Sequence, residues 1–131
     1  MVPWGIISAD CIPNSCIINI YEEGDCIPPH IDHRDFVRLF CTVSLISESS
    51  ILFGTDIEII GPDEFRGFVE ISLPRGSVLI LKGNRADMTK HCIPRVRHRR
   101  VSITFRRMSD DKTPYGFQPN LELEELQPYE L

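Results

Sequence analysis

Apolar and polar positions along this chain change in short blocks, without the three-to-four spacing of long amphipathic helices. CIINIYE (16–22), RLFCTVSLI (38–46), ILFG (51–54), DIEII (56–60), GFVEISL (67–73), SVLILKG (77–83) and VSITFRR (101–107) are runs rich in β-branched and aromatic residues. Such runs suit a pleated, half-buried surface and predict strands. Between them lie EEGD, SESS, GPDEFRG, LPRGS and KGNRAD, whose Gly, Pro, Asn, Asp and Ser favour turns. ADMTK (86–90) alone reads as a helical turn. Many short strands at close spacing predict an all-β sandwich or barrel. After Met108 the period is lost, so 1–108 is read as the folded core and 109–131 as a mostly irregular, acidic tail.

Composition narrows the class. A length of 131 residues fits one domain with a real core, and 42% hydrophobic with 25% charged residues is ordinary for a globular chain. No apolar run approaches the roughly 20 residues of a membrane helix. The opening MVPWGIISAD has neither a basic segment nor a sustained apolar one, so no secretory signal is read there. The five cysteines form no Cys-x-x-Cys pair, which predicts reduced thiols in an intracellular protein and argues against a structural zinc site.

The net charge of −5 conceals a polarised chain. From Lys82 to Arg107 there are nine Lys or Arg residues and one acid, whereas Asp110 to the end holds six acids and one base. The basic stretch is either a local polyanion-binding surface or a solvated face, and charge alone leaves both readings open.

Chemistry enters at CIPPHIDHRDF (26–36), where two of the four histidines flank one aspartate. His30 and Asp32 are two apart, which places both side chains on one face of an extended segment. Alone, His-x-Asp is a weak signal. A third ligand candidate is His91, 59 residues beyond Asp32. Two histidines and a carboxylate form the facial triad of non-haem iron(II) oxygenases, which leaves positions open for a chelating cosubstrate and dioxygen. Zinc could use the same ligands, with Glu22, Glu23 or Asp25 as general base.

A 2-oxoglutarate-dependent oxygenase also needs cations for two carboxylates. Arg100 and Arg106 are six apart in RVSITFR, so a strand places them on one face with Ser102 and Thr104. The planar guanidinium matches a carboxylate with two hydrogen bonds. Asn19 and Tyr21 alternate in the same way within INIYE and would face the same interior.

NIYEEGDCIPPHID followed by KHCIPRVRHRRVSITFRR resembles the AlkB-homologue family of iron(II)/2-oxoglutarate dioxygenases. Within that family it is most similar to the RNA N6-methyladenosine demethylase branch, particularly its plant members. The similarity runs from about Pro13 to Met108 and rests on Asn-x-Tyr, His-x-Asp, the distant His and Arg-x5-Arg. The resemblance implies a double-stranded β-helix of the eight-strand jelly-roll type, in which some peripheral strands could be missing. It implies iron(II) on His30, Asp32 and His91, and 2-oxoglutarate as cosubstrate. Tyr21 and Arg100 would hold its distal carboxylate, and Asn19 and Arg106 its oxalyl end. Ile27 would lie against the methylated base, with Lys90, Arg95, Arg97 and Arg99 along the RNA phosphates.

The implied reaction is oxidative demethylation of single-stranded or flipped-base RNA in the nucleus or cytoplasm, with no membrane partner. Family members carry a longer segment before the Asn-x-Tyr strand, including a nucleotide-recognition lid, whereas about 18 residues precede Asn19 here. Two other readings stand beside the demethylase: a catalytically impaired fragment that only binds RNA, and a protein side-chain hydroxylase on the same barrel.

Overall fold

The computed structural model describes residues 1–83, 88–125 and 127. Among these residues ten strands are found: β1 (Ser15–Tyr21), β2 (Ile27–His30), β3 (Leu39–Leu45), β4 (Ser49–Gly54), β5 (Glu58–Gly61), β6 (Glu64–Arg66), β7 (Val69–Leu73), β8 (Val78–Lys82), β9 (Lys90–Ile93) and β10 (Arg100–Arg106). Eight of them form two four-stranded antiparallel sheets, ordered β1-β10-β3-β8 and β2-β9-β4-β7, and β5 and β6 make a separate hairpin. The fold is the all-β jelly roll that the strand pattern and the resemblance predict, with both four-stranded sheets complete.

Each predicted run contains a strand, with ends shifted by up to two residues. Three strands lie outside those runs. β2 is the sequence IPPH, whose two prolines donate no ladder hydrogen bond. It survives because it is an edge strand of its sheet, where a missing donor costs little. β6 falls inside GPDEFRG, where Gly61 pairs with Glu64 across a two-residue turn. β9 is only four residues, KHCI, and its polar start hides the pattern. The helical turn expected over 86–90 falls partly on residues outside those described, and Lys90 already belongs to β9.

Alternation decides what faces inward. On β10, Arg100, Ser102, Thr104 and Arg106 point between the sheets, and the opposed β1 contributes Ile17, Asn19 and Tyr21. Tyr21, Ile51, Leu73, Ile93 and Val96 form the apolar base of this interior, with Ile27, Phe53 and Leu79 packed on it. A second cluster of Val2, Ile7, Ile12 and Leu39 seats the first residues on the β1-β10-β3-β8 sheet.

One close approach needs glycine at two positions. A Cβ on Gly54 would run into the carbonyl oxygen of Gly67. Gly67 has φ +74°, and a Cβ there would lie 2.7 Å from the carbonyl oxygen of Asp56. This contact closes the β5–β6 excursion onto the end of β4, beside the Gly54–Lys90 pairing and one residue from His91.

Beyond β10 the chain is tied down briefly. Met108 N–H donates to Asn14 Oδ1 at 2.7 Å, and Arg107 N-terminal to it packs along Val37, whose N–H donates to the Arg107 carbonyl at 2.8 Å. Among the described residues after β10 there are a 3-10 turn (Asp110–Lys112) and one helical turn (Leu121–Glu124). Among the described residues no helix is long and apolar enough to cross a membrane.

Candidate metal and cosubstrate site

Three ligand atoms meet at one end of the interior. His30 ends β2, His91 lies opposite it on β9, and Asp32 follows just after β2. One ligand atom from each residue lies within 4.8 Å of the others. His30 Nε2 is 3.8 Å from Asp32 Oδ1, and His91 Nε2 is 3.6 Å from Asp32 Oδ2. His30 Nδ1 lies 2.9 Å from the Pro28 carbonyl oxygen, which can only accept, so this nitrogen carries the proton. In the neutral imidazole this leaves the Nε2 lone pair for a metal. The rings of His30 and His91 are 4.4 Å apart, and Phe53 lies 5.8 Å from His91 on the other side.

Burial lowers the pKa of His91, partly offset by the Asp32 carboxylate and reinforced by His30, which favours the neutral form that can ligate. His33, the other histidine beside Asp32, is exposed and pairs instead with Asp35 at 3.2 Å. It is no part of the cluster.

The same interior also holds a group suited to an anion. Arg100 is 1% exposed, and its Nη2 donates to Ser44 Oγ at 3.0 Å. Its Nε and Nη1 are buried without a hydrogen-bond partner. A buried cation with idle donors is costly unless a ligand completes it. Tyr21, paired with Arg100 across β1 and β10, places its ring 5.0 Å from the guanidinium carbon. Asn19 stands opposite Ser102 in the next inward-facing pair. Arg106, six residues along β10, returns to the metal-ligand end, where burial lowers its pKa against the opposing pull of Asp32. Its Nε is also buried without a partner.

His30, Asp32, His91, Asn19, Tyr21, Arg100, Arg106 and Ile27 all line one pocket. Glu22, Glu23 and Asp25 do not; Asp32 is the sole carboxylate among the described lining residues. A hydrolytic zinc centre with one of those acids as base therefore finds no support in the geometry. The basic residues divide. Lys90 is adjacent to His91 on β9 and exposed. Arg95, Arg97 and Arg99 lie beyond Ile93, in the segment whose Val96 bonds to the 22–26 turn. Arg95 is paired with Asp63 at 3.0 Å and Arg99 with Glu22 at 3.3 Å. The structure does not bring these three to the metal ligands.

Sequence reasoning missed Ser44, Thr42 and Phe36. Ser44 and Thr42 could have been found from alternation within LFCTVSL, since both share the inward face of Phe40. Thr42 Oγ1 meets Thr104 Oγ1 at 2.9 Å across the sheet. Phe36 sits in a loop and carries no periodic signal.

A jelly roll holding a two-histidine, one-carboxylate cluster above paired arginines defines a metal-dependent oxygenase architecture. Residues 7–106 match the model of the 2OG-Fe(II) oxygenase superfamily. The chain belongs to that family, whose metal is iron(II) and whose cosubstrate is 2-oxoglutarate. The residues present fit both: three convergent ligand atoms for the metal, and idle buried guanidinium donors for the carboxylates. The chain is 51% identical over its full length to the RNA demethylase ALKBH9B of Arabidopsis thaliana, covering 26% of that protein. It is 35% identical to the RNA demethylase ALKBH10B of the same plant, over 91% of this chain and 21% of that one. The RNA demethylase ALKBH5 of Bos taurus is 35% identical over 72% of this chain and 25% of its own length. The chain thus spans about a quarter of the length of these relatives. The structure of OsALKBH1 superposes with a TM-score of 0.55 at 21% identity, over 72% of this chain and 48% of that one, a likeness of fold.

Proposed function

We propose that this chain is the catalytic core of an RNA demethylase that removes the N6-methyl group of adenosine in single-stranded or flipped-base RNA. The observation that carries the chemistry is the arrangement of Arg100. Its two idle buried donors belong to a side chain that lines the same pocket as His30, Asp32 and His91, whose ligand atoms converge. A molecule satisfying both must be anionic at one end and able to chelate at the other, which describes 2-oxoglutarate. The RNA demethylases among its relatives support RNA as the substrate.

In this reading His30, Asp32 and His91 would hold iron(II), which with dioxygen and 2-oxoglutarate would supply the oxidising power. Arg100 and Tyr21 bind the distal carboxylate, while Asn19 and Arg106 bind the oxalyl end. With those groups bound, one oxygen atom of dioxygen would enter a methyl C–H bond and the other would end in succinate, with carbon dioxide released. The N-hydroxymethyl group then loses formaldehyde as its C–N bond breaks, and a proton returns to N6. Ile27, half-buried on β2 and lining the same pocket as His30, would contact the methylated base. Of the basic residues, exposed Lys90 beside His91 would meet a phosphate next to that base, and Arg95, Arg97 and Arg99 would meet phosphates further along. The site of action is nuclear or cytoplasmic RNA.

The test is succinate and formaldehyde release from 2-oxoglutarate with N6-methyladenosine RNA, plain RNA and no RNA. Stimulation by the methylated strand alone, with formaldehyde matching the methyl lost, is expected. Binding of RNA without any turnover would favour the RNA-binding fragment. Turnover stimulated by a protein substrate and not by RNA would favour side-chain hydroxylation.

A further inference from the structure

The guanidinium of Arg106 packs on an aromatic ring, that of Phe36. The guanidinium carbon of Arg106 lies 3.8 Å from the centroid of the Phe36 ring. This is close contact of the planar cation with an aromatic face. Arg106 Nε is buried and has no acceptor, so no hydrogen bond fixes that part of the fork. A stack sets the plane of a guanidinium while leaving its N–H groups to a ligand.

The ring is held there by backbone stitching on both sides. Phe36 forms an antiparallel bridge with Met108, two residues beyond Arg106. Val37 N–H donates to the Arg107 carbonyl at 2.8 Å, and Ser109 N–H donates to the Asp35 carbonyl at 2.8 Å. The loop that carries the metal ligand Asp32 is therefore fastened alongside the end of β10, with Phe36 as the side chain that reaches Arg106. Arg38 helps fix the same loop by donating to the Asp32 carbonyl at 3.1 Å.

We propose that Phe36 is a positioning residue for 2-oxoglutarate, acting through Arg106; this rests on the reading of the pocket given above. Leucine at this position would keep an apolar contact but lose the aromatic face, whereas tryptophan would keep the face. The partner of Arg106 changes, and no metal ligand is touched.

The experiment is calorimetric titration of 2-oxoglutarate into protein loaded with manganese(II), which occupies the metal ligands without turnover. Phe36→Leu should weaken 2-oxoglutarate roughly three- to thirtyfold, the span of a cation–π contact, with manganese affinity unchanged. Phe36→Trp should restore binding to within about twofold of the parent. In an Arg106→Ala background Phe36→Leu should have no further effect, because the two residues act as one unit. If Phe36→Leu weakens folding, Phe36→Met and a melting curve of each variant separate stability from affinity. Equal affinity in Phe36→Leu and parent overturns the proposal, as does an undiminished effect in the Arg106→Ala background. Failure of the parent chain to bind 2-oxoglutarate overturns the pocket reading itself, and this role with it.

Discussion

His91 and Asp32, 59 residues apart in the chain, face one another with Nε2 and Oδ2 separated by 3.6 Å. Opposite pairing of β2 and β9 brings this about, since His30 sits directly across from His91. With two of three ligands an open site holds its metal weakly. His30→Ala, Asp32→Ala and His91→Ala should each lower iron content and turnover by more than the roughly ten- to hundredfold that outer partners cost. Fold should persist, because the apolar base lies with Ile51, Leu73 and Ile93. Metal analysis and circular dichroism on the same samples check this, and near-normal turnover in any variant would remove that residue from the ligand set.

Arg100 should behave unlike any surface arginine. Removing a charge-assisted contact to a carboxylate costs about 1.5–3 kcal/mol, hence roughly ten- to a hundredfold in 2-oxoglutarate affinity. Arg100→Lys should recover little of it, because an ammonium cannot reproduce the fork that meets both Ser44 and a ligand. The 2-oxoglutarate requirement of each variant is the measurement; an unaltered requirement in Arg100→Ala would dissociate Arg100 from the cosubstrate.

Much of this site could be read from the chain because its residues obey the period of two. Arg100 with Arg106, and Asn19 with Tyr21, share faces on β10 and β1 as alternation requires. His-x-Asp and the distant His91 needed only pairing of their segments. What escaped was tertiary in origin. β2 could not be foreseen from IPPH because its tolerance of proline depends on being at a sheet edge. Phe36 acts from a loop, and the ion pairs of Arg95 and Arg99 depend on Asp63 and Glu22 arriving from distant turns. A run of like charge says nothing about partners brought by the fold.

Backbone geometry makes a stability prediction of both signs. Gly54→Ala would force a Cβ against the Gly67 carbonyl, and overpacking of this kind costs roughly 1–3 kcal/mol. Ile46, exposed after β3, has φ 72°, where a β-branched residue is strained by about 1–2 kcal/mol. Ile46→Asn should therefore raise the midpoint of denaturant unfolding while Gly54→Ala lowers it. Identical midpoints for parent and Ile46→Asn would mean that the left-handed conformation carries no strain.

The lowered pKa of His91 has a consequence for the metal-free protein. Unfolding frees His91 to titrate near its ordinary value of about 6.5, whereas the folded state resists that proton. Below that pH the unfolded state binds more protons, so His91 removes stability as pH falls and stops doing so below its folded pKa. Metal-free His91→Gln should show a shallower loss between pH 7 and 5 than the parent in urea titrations. Parallel curves would assign the acid sensitivity to other groups.

RNA binding should separate the basic residues by their present partners. Lys90 is exposed next to His91, whereas Arg95 and Arg99 are engaged by Asp63 and Glu22. A cation already paired with a carboxylate releases less from a phosphate's counterion atmosphere, because the protein acid competes for it. Each free phosphate contact on a single strand contributes about 0.7 to the slope of log affinity against log salt. Lys90→Ala and Arg97→Ala should each lower the slope by about that amount, while Arg95→Ala and Arg99→Ala change it less. Titrations of one single-stranded oligonucleotide across a salt series measure all four, with methylated and plain adenosine compared at fixed salt. Phosphate contacts should weaken both strands alike, since they carry no information about the base. Loss of affinity in Ile27→Ala for the methylated strand alone would place the base against Ile27. Equal slopes in all four basic variants and the parent would leave the basic stretch as solvated surface, with the RNA entering over other residues.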